Sequence, residues 1–340
     1  MIFTIFCRTI NKNKTIVEAS IINSIILLFC VYLLLVKFNM GLYGYLIAFT
    51  VGQVISPIYV FIKAKLYKYI TITIDVYTIK RMVIYSMPLI LNELAWWINN
   101  ASDRYIVTWF CGASIGGIYA VSYKIPNILN NVQTVFSQAW SISAIKEFNE
   151  NDEDGFIGNT YKKYLFIMMI SCSLCIFLNK IISKILFSNE FFYAWKYVPP
   201  LLVAFVLNGS IRFFGNILTA VKDTKCMSIS TLTASIINVI GNIILIPIFG
   251  AYIATITTLF SSLVNYIIRI KVINKYISMK YEAYKEYISF LIIFIQMIFA
   301  TIFSEKYILQ IICMMCLIIL NKDTVSNLKD YVLDKIYKRI

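Results

Sequence analysis

Between Ser86 and Glu147 the chain is apolar enough for two membrane helices, yet it contains Glu93, Asp103, Arg104 and Lys124. Each such charge costs about 2.5 to 3.5 kcal/mol at the centre of a membrane helix on insertion scales, so these helices must face something polar. At 100° per residue, Glu93, Trp97, Asn100 and Arg104 form one stripe, and Asn92, Trp96, Asn99 and Asp103 form the next. The second segment repeats the pattern with Lys124, Asn127, Asn131, Thr134 and Gln138. A single buried Asn is usually an interhelical hydrogen bond worth about 1 kcal/mol. Two neighbouring helices polar along their length point instead to a water-filled cavity. A third contributor begins at Pro199-Pro200, where Asn208, Arg212, Asn216 and Thr219 share a face, and the next span adds Thr231, Ser235, Asn238 and Asn242.

The elements that must position these groups are helices in a bilayer. Of the 340 residues, 60% are hydrophobic, which fits an all-α polytopic membrane protein and no ordinary soluble domain. We read ten spans, at 20–36, 42–62, 83–110, 115–142, 164–181, 198–221, 227–247, 251–268, 287–303 and 307–320. The expected organisation is a helix pair over 1–62, a basic cytoplasmic linker over 63–82, a six-helix lobe over 83–270, two peripheral helices over 271–320 and a basic tail over 321–340. The segment 1–6 is too short to span. With both termini cytoplasmic, the inner segments hold 23 of the 31 Lys and Arg residues, which fixes orientation by the positive-inside rule. The acidic stretch Asn149–Gly155 reads as a solvated turn.

Catalysis is not expected. There is no histidine, which removes the commonest general base, and the longest outer segment, 179–197, has Glu190 as its one acid. Cys172/Cys175 and Cys313/Cys316 have CxxC spacing but lie in mid-span, so neither metal nor cofactor is predicted. A faint parallel repeat links Ala19–Asn23 with Ala234–Asn238, each followed by a glycine-led entry into the next span.

Several short pieces carry a family resemblance: Pro88 in SMPLIL, Ser102-Asp103-Arg104, Gly117-Ile118-Tyr119, Tyr123-Lys124-Ile125-Pro126, Gln138-Ala139-Trp140, and Asn242 to Thr255. Their order and spacing resemble the Wzx-type flippases for O-antigen and capsule repeat units, within the multidrug/oligosaccharidyl-lipid/polysaccharide exporter superfamily. The resemblance is clearest over residues 80–260. It implies a fold of two six-helix lobes in a V with two further helices. The ten spans then correspond to the fifth through fourteenth, so the first four helices are expected to be missing. The implied cargo is an undecaprenyl-diphosphate-linked oligosaccharide crossing the bacterial inner membrane, with membrane lipids, a polysaccharide polymerase and a chain-length regulator as partners.

On that template Arg212 and Lys124 are the expected diphosphate ligands, and Arg104, Asn100, Asn127, Asn131, Asn208 and Asn216 complete a substrate cavity. Trp96, Trp97 and Trp140 are expected to meet sugar rings, and Glu93 or Asp103 to bind a coupling ion. The five intramembrane charges, Glu93, Asp103, Arg104, Lys124 and Arg212, sum to +1. Rival readings are a cation-coupled small-molecule exporter of the same superfamily, a membrane-embedded glycosyltransferase or polymerase, and an inactive fragment.

Overall fold

The computed structural model describes residues 2–70, 75–149, 152–303 and 306–327, apart from the side chain of Asn189. Part of the basic linker, two residues of the acidic stretch and most of the basic tail lie outside the described residues. Among those described, every regular element is helical: α1 (Ile2–Thr9), α2 (Asn13–Val31), α3 (Gly41–Lys63), α4 (Val76–Cys111), α5 (Ala113–Ser122), α6 (Pro126–Lys146), α7 (Phe156–Phe177), α8 (Asn179–Leu186), α9 (Val198–Ala220), α10 (Thr224–Phe249), α11 (Ile253–Ile273), α12 (Ala283–Ile302) and α13 (Tyr307–Leu320). The all-α polytopic membrane class read from the sequence is thereby borne out. Among the described residues, seven helices are long and apolar enough to cross a membrane: α2 with its continuation to Lys37, α3, α7, α9, α10, α11 and α12. The third, fourth and tenth expected spans fall outside that set.

The chain divides into two compact units, residues 1–76 and 77–340. The first is built on α2 and α3, joined by a turn in which Asn39 and Gly41 both take positive φ. Gly52 of α3 lies so close to α2 that a Cβ there would stand 2.6 Å from Asn23 Oδ1. Lys12 Nζ donates to the Ala64 carbonyl at 2.7 Å and Tyr59 donates to Glu18 at 2.9 Å, closing the pair at one end.

The second unit is arranged around α9. Pro199 and Pro200 occupy its first turn, where missing N–H groups cost nothing, and apolar residues follow on every side. Nearly the whole helix is buried against α6, α7, α11 and α12. Phe213 stacks on Trp140 with centroids 4.3 Å apart, and Phe136 stacks on Tyr164 at 4.2 Å, so an aromatic column joins α6, α7 and α9.

Four boundaries differ from the expectation. The fourth span is broken at 123–125, where Pro126, having no N–H to donate to the preceding turn, starts α6 as its first residue. Helix α7 begins at Phe156, and Asp152, expected in a solvated turn, is buried. Its carboxylate accepts from the N–H groups of Ile157 at 3.0 Å and Gly158 at 2.9 Å, capping α7. Helix α11 runs on to Ile273 and so carries Arg269, expected in a cytoplasmic loop, into the buried interior. Helix α12 starts at Ala283 and brings the buried Glu286 with it.

Candidate functional site

The polar stripe of α4 divides between two tasks. Its inner edge ties α4 to α10 and α11. Asn92 Oδ1 accepts from Thr231 Oγ1 at 2.7 Å, and Ser228 donates to the Pro88 carbonyl. About three turns further on, the fully buried Asp103 accepts from Asn242 Nδ2 at 2.6 Å, Thr258 Oγ1 at 2.6 Å, Tyr123 at 3.0 Å and Tyr119 at 3.3 Å. This carboxylate joins four helices, α4, α5, α10 and α11, with Tyr123 at the α5–α6 break. Thr257 donates in turn to Asn242, extending the network.

The outer edge of α4 faces open space. Glu93, Trp97 and Asn100, the predicted stripe, line a cavity of about 380 Å³ together with Trp96, Ser137, Arg212, Gly215, Asn216, Thr219 and Arg269. A second cavity of about 100 Å³ is lined by Arg104, Tyr123, Asn127, Asn130, Gln133 and Asn208. Trp96, Asn100 and Arg212 line both. Along α9, Phe205 and Asn208 precede Arg212, while Asn216 and Thr219 follow it. Along α4, Glu93 precedes Trp96 and Arg104 follows it. The two cavities therefore succeed one another along the helix axes, with the Arg212–Trp96 pair where they meet.

Each cation here has an aromatic or carbonyl partner rather than a carboxylate. Arg212 lies with its guanidinium carbon 5.4 Å from the Trp96 ring centroid, and Arg104 lies 4.8 Å from that of Tyr123. Arg212 Nε is buried with no hydrogen-bond partner among the described residues. Arg269 is 1% exposed and donates to Ser230 and Thr231 hydroxyls and to the carbonyls of Ile211 and Met227. None of these arginines forms an ion pair within 4.0 Å among the described residues.

The structure thus brings together Arg212, Asn100 and Asn216 at the larger cavity, and Arg104, Asn127 and Asn208 at the smaller. Lys124 and Asn131, predicted for the same site, are exposed and line neither cavity: Lys124 falls in the α5–α6 break, which turns it away from the stripe it would continue on an unbroken helix. Trp140, predicted to meet sugar, is buried in the aromatic column and donates Nε1–H to the Phe213 carbonyl at 3.2 Å. Of the two coupling-ion candidates, Glu93 lines the larger cavity and Asp103 is fully buried and lines neither. The polar face of α10 is taken up with helix contacts: Asn242 holds Asp103, and Asn238 donates to Thr258 at 3.3 Å. Arg269 was absent from the predicted site.

Residues 1–142 match the model of the family described as polysaccharide biosynthesis protein. No curated protein matches by sequence. A solved structure titled "Lipid II flippase MurJ, inward closed conformation" superposes with a TM-score of 0.58 at 16% identity, over 89% of this chain and 67% of that one. That likeness shows a shared fold. The resemblance drawn from sequence motifs is borne out: over residues 1–142 the chain matches the polysaccharide biosynthesis proteins, and over most of its length it has the fold of a lipid flippase.

Proposed function

We propose that this chain translocates undecaprenyl-diphosphate-linked oligosaccharide repeat units across the bacterial inner membrane, for O-antigen, capsule or another surface polysaccharide, by alternating access. The observation that carries this reading is the pair of adjoining polar cavities among membrane helices, lined by arginines without carboxylate partners and by a row of amides. A diphosphate and its sugars cannot cross hydrocarbon unaided, because each charge and unpaired polar group would lose its hydration. Guanidiniums answer the diphosphate by forked hydrogen bonding. Asn100, Asn127, Asn208 and Asn216 offer donors and acceptors to sugar hydroxyls, and Trp96 and Trp97 offer flat faces to sugar rings.

Glu93 and Asp103 remain the coupling candidates. Glu93 meets the cavity directly, whereas Asp103 takes up a cation only by exchanging one of the four donors it holds. A polymerase and a chain-length regulator are the expected partners, and the excess of Lys and Arg in the inner segments supports a cytoplasmic position for both termini. A rival cation-coupled exporter would favour carboxylate over cation in the cavity, and the lining has the opposite balance: Glu93 against Arg212 and Arg269 in the larger chamber, Arg104 in the smaller.

Complementation tests the reading. The chain is expressed in a bacterium lacking its own repeat-unit flippase, membrane insertion is confirmed, and surface polysaccharide is followed on gels. Restored polymer supports translocation. An inserted chain that restores nothing, with or without four upstream helices grafted on, overturns the assignment to this cargo.

A further inference from the structure

We infer that Glu286 is the core of a monovalent-cation site between α7, α11, α12 and the end of α13, separate from both polar cavities described above. Its ligand is a small alkali cation of the sodium class, and binding fastens the α12–α13 pair to the rest of the bundle.

Glu286 is 4% exposed, and its Oε1 accepts from the phenols of Tyr161 and, at 2.6 Å, Tyr266. Those two bonds join α12 to α7 and α11, and helix packing asks no more of the residue. Its other oxygen, Oε2, is buried with no hydrogen-bond partner among the described residues. Glu286 also lines a cavity of about 20 Å³, room for one particle the size of a water molecule. Tyr281, Ser289 and Asn321 line the same cavity and bring neutral oxygens to it. Asn321 commits its amide nitrogen to Ser289 Oγ at 3.2 Å and to the Leu317 carbonyl at 3.0 Å, which leaves the amide oxygen over. Oxygens that share one small cavity without bonding to Oε2 are what a cation between them would bridge, and hard oxygen ligands suit a hard cation.

The charge balance selects a single positive charge. Lys162, Glu282 and Lys285 complete the charged lining. Lys285 Nζ lies 2.6 Å from Glu282 and 3.0 Å from Asp323, and Lys162 Nζ lies 3.2 Å from Glu282. Both ammonium groups are thus engaged by the exposed acids, and neither pairs with Glu286. Three carboxylates against two lysines leave one negative charge over, on the buried member, where an uncompensated ion is costly. A monovalent cation cancels that charge, whereas a divalent one would reverse its sign. A proton on Oε2 would need an acceptor in turn, and that oxygen has no partner among the described residues.

The test is equilibrium binding of radioactive sodium to the purified full chain in detergent, with choline chloride holding ionic strength constant and thermal unfolding followed in the same buffers. The wild type is expected to bind sodium and to unfold at a higher temperature with it than with choline. Glu286→Gln keeps an acceptor for both phenols and removes the charge. It is expected to bind about one ion fewer per chain and to lose the matching part of the thermal shift. Ser289→Ala removes one neutral oxygen and is expected to weaken binding at this site about tenfold or more, the loss expected for one contact to a charged group, so the conclusion does not depend on one variant folding. If both variants bind as many ions as tightly as the wild type, or if the folded wild type binds none, the site is wrong. If the wild type ignores sodium but acid raises its unfolding midpoint to that of Glu286→Gln, the carboxylate takes a proton instead and the cation site is likewise overturned.

Discussion

Arg212 presents its guanidinium to the face of Trp96, 5.4 Å from the ring centroid, and these two side chains border both polar cavities. A cation–π pair is strong enough to hold a partition and weak enough to be displaced, at about 0.5 to 2 kcal/mol. An anion reaching Arg212 competes with the ring for it. Arg212→Ala is expected to lower transport about tenfold or more, because a guanidinium–phosphate contact is charge-assisted, and Arg212→Lys to recover part of it. Initial rates of lipid-linked oligosaccharide translocation measure both. Trp96→Ala is expected to retain the charge yet let the two chambers communicate, which accessibility of an introduced Asn127→Cys to a charged thiol reagent reports.

Asp103 holds four donors from three other helical regions in a space with no exposure. Truncation to Ala is expected to cost about 3 kcal/mol or more, since each buried donor left unsatisfied costs about 1 to 3 kcal/mol. Asp103→Asn is expected to cost less. Unfolding midpoints in detergent separate the two, and equal midpoints for wild type and Asp103→Ala would remove the structural role.

Glu286 pins α12 to the bundle: it accepts from Tyr161 of α7 and, at 2.6 Å, from Tyr266 of α11. Glu286→Ala is expected to destabilise the chain by about 2 to 3 kcal/mol, as two phenols lose a charged acceptor. Tyr161→Phe and Tyr266→Phe, combined with it in double-mutant cycles, are expected to show coupling well above experimental error.

How much of this was legible in sequence follows from how local each signal is. Glu93, Trp97 and Asn100 could be placed on one wet face because they are separated by whole helical turns within one segment, and Asn208, Arg212 and Asn216 likewise. Arg269 and Glu286 were not found, because each lies just past an apolar run among lysines and so counts as positive-inside loop. A signal for Arg269 was present: Ser261, Asn265 and Arg269 recur at four-residue spacing on α11, and all three are buried. Trp140 could not be assigned from sequence, since its stacking partner Phe213 is far along the chain. Lys124 depended on whether Pro126 would break the helix.

Outside the membrane helices, Asp223 caps α10 and accepts from Tyr276 at 2.6 Å. Burial pushes the Asp223 carboxyl up, but hydrogen bonds from Tyr276 and Cys226 outweigh it and hold the group below the ordinary carboxylate range. The Tyr276 phenol is raised to about 12, chiefly by its hydrogen bond to Asp223. A depressed acid stabilises the fold above its unfolded pKa and ceases to do so as pH falls through the folded value. A raised phenol stabilises below its unfolded pKa and ceases to do so as pH rises through about 12. Tyr276→Phe is therefore expected to lower the unfolding midpoint across neutral pH, with the difference from wild type shrinking in strong acid and strong alkali. A difference independent of pH would show that the hydroxyl acts by packing.

The central claim is movement of a diphosphate-linked glycan through the Arg212 cavity. Its most direct test reconstitutes the chain in lipid vesicles with a fluorescent polyprenyl-diphosphate oligosaccharide and follows the fraction reached by an enzyme or quencher added outside. Wild type is expected to equilibrate the two leaflets, with Arg212→Ala markedly slower and no acceleration of the same glycan on an uncharged lipid carrier. Equal rates for wild type, Arg212→Ala and protein-free vesicles would contradict it.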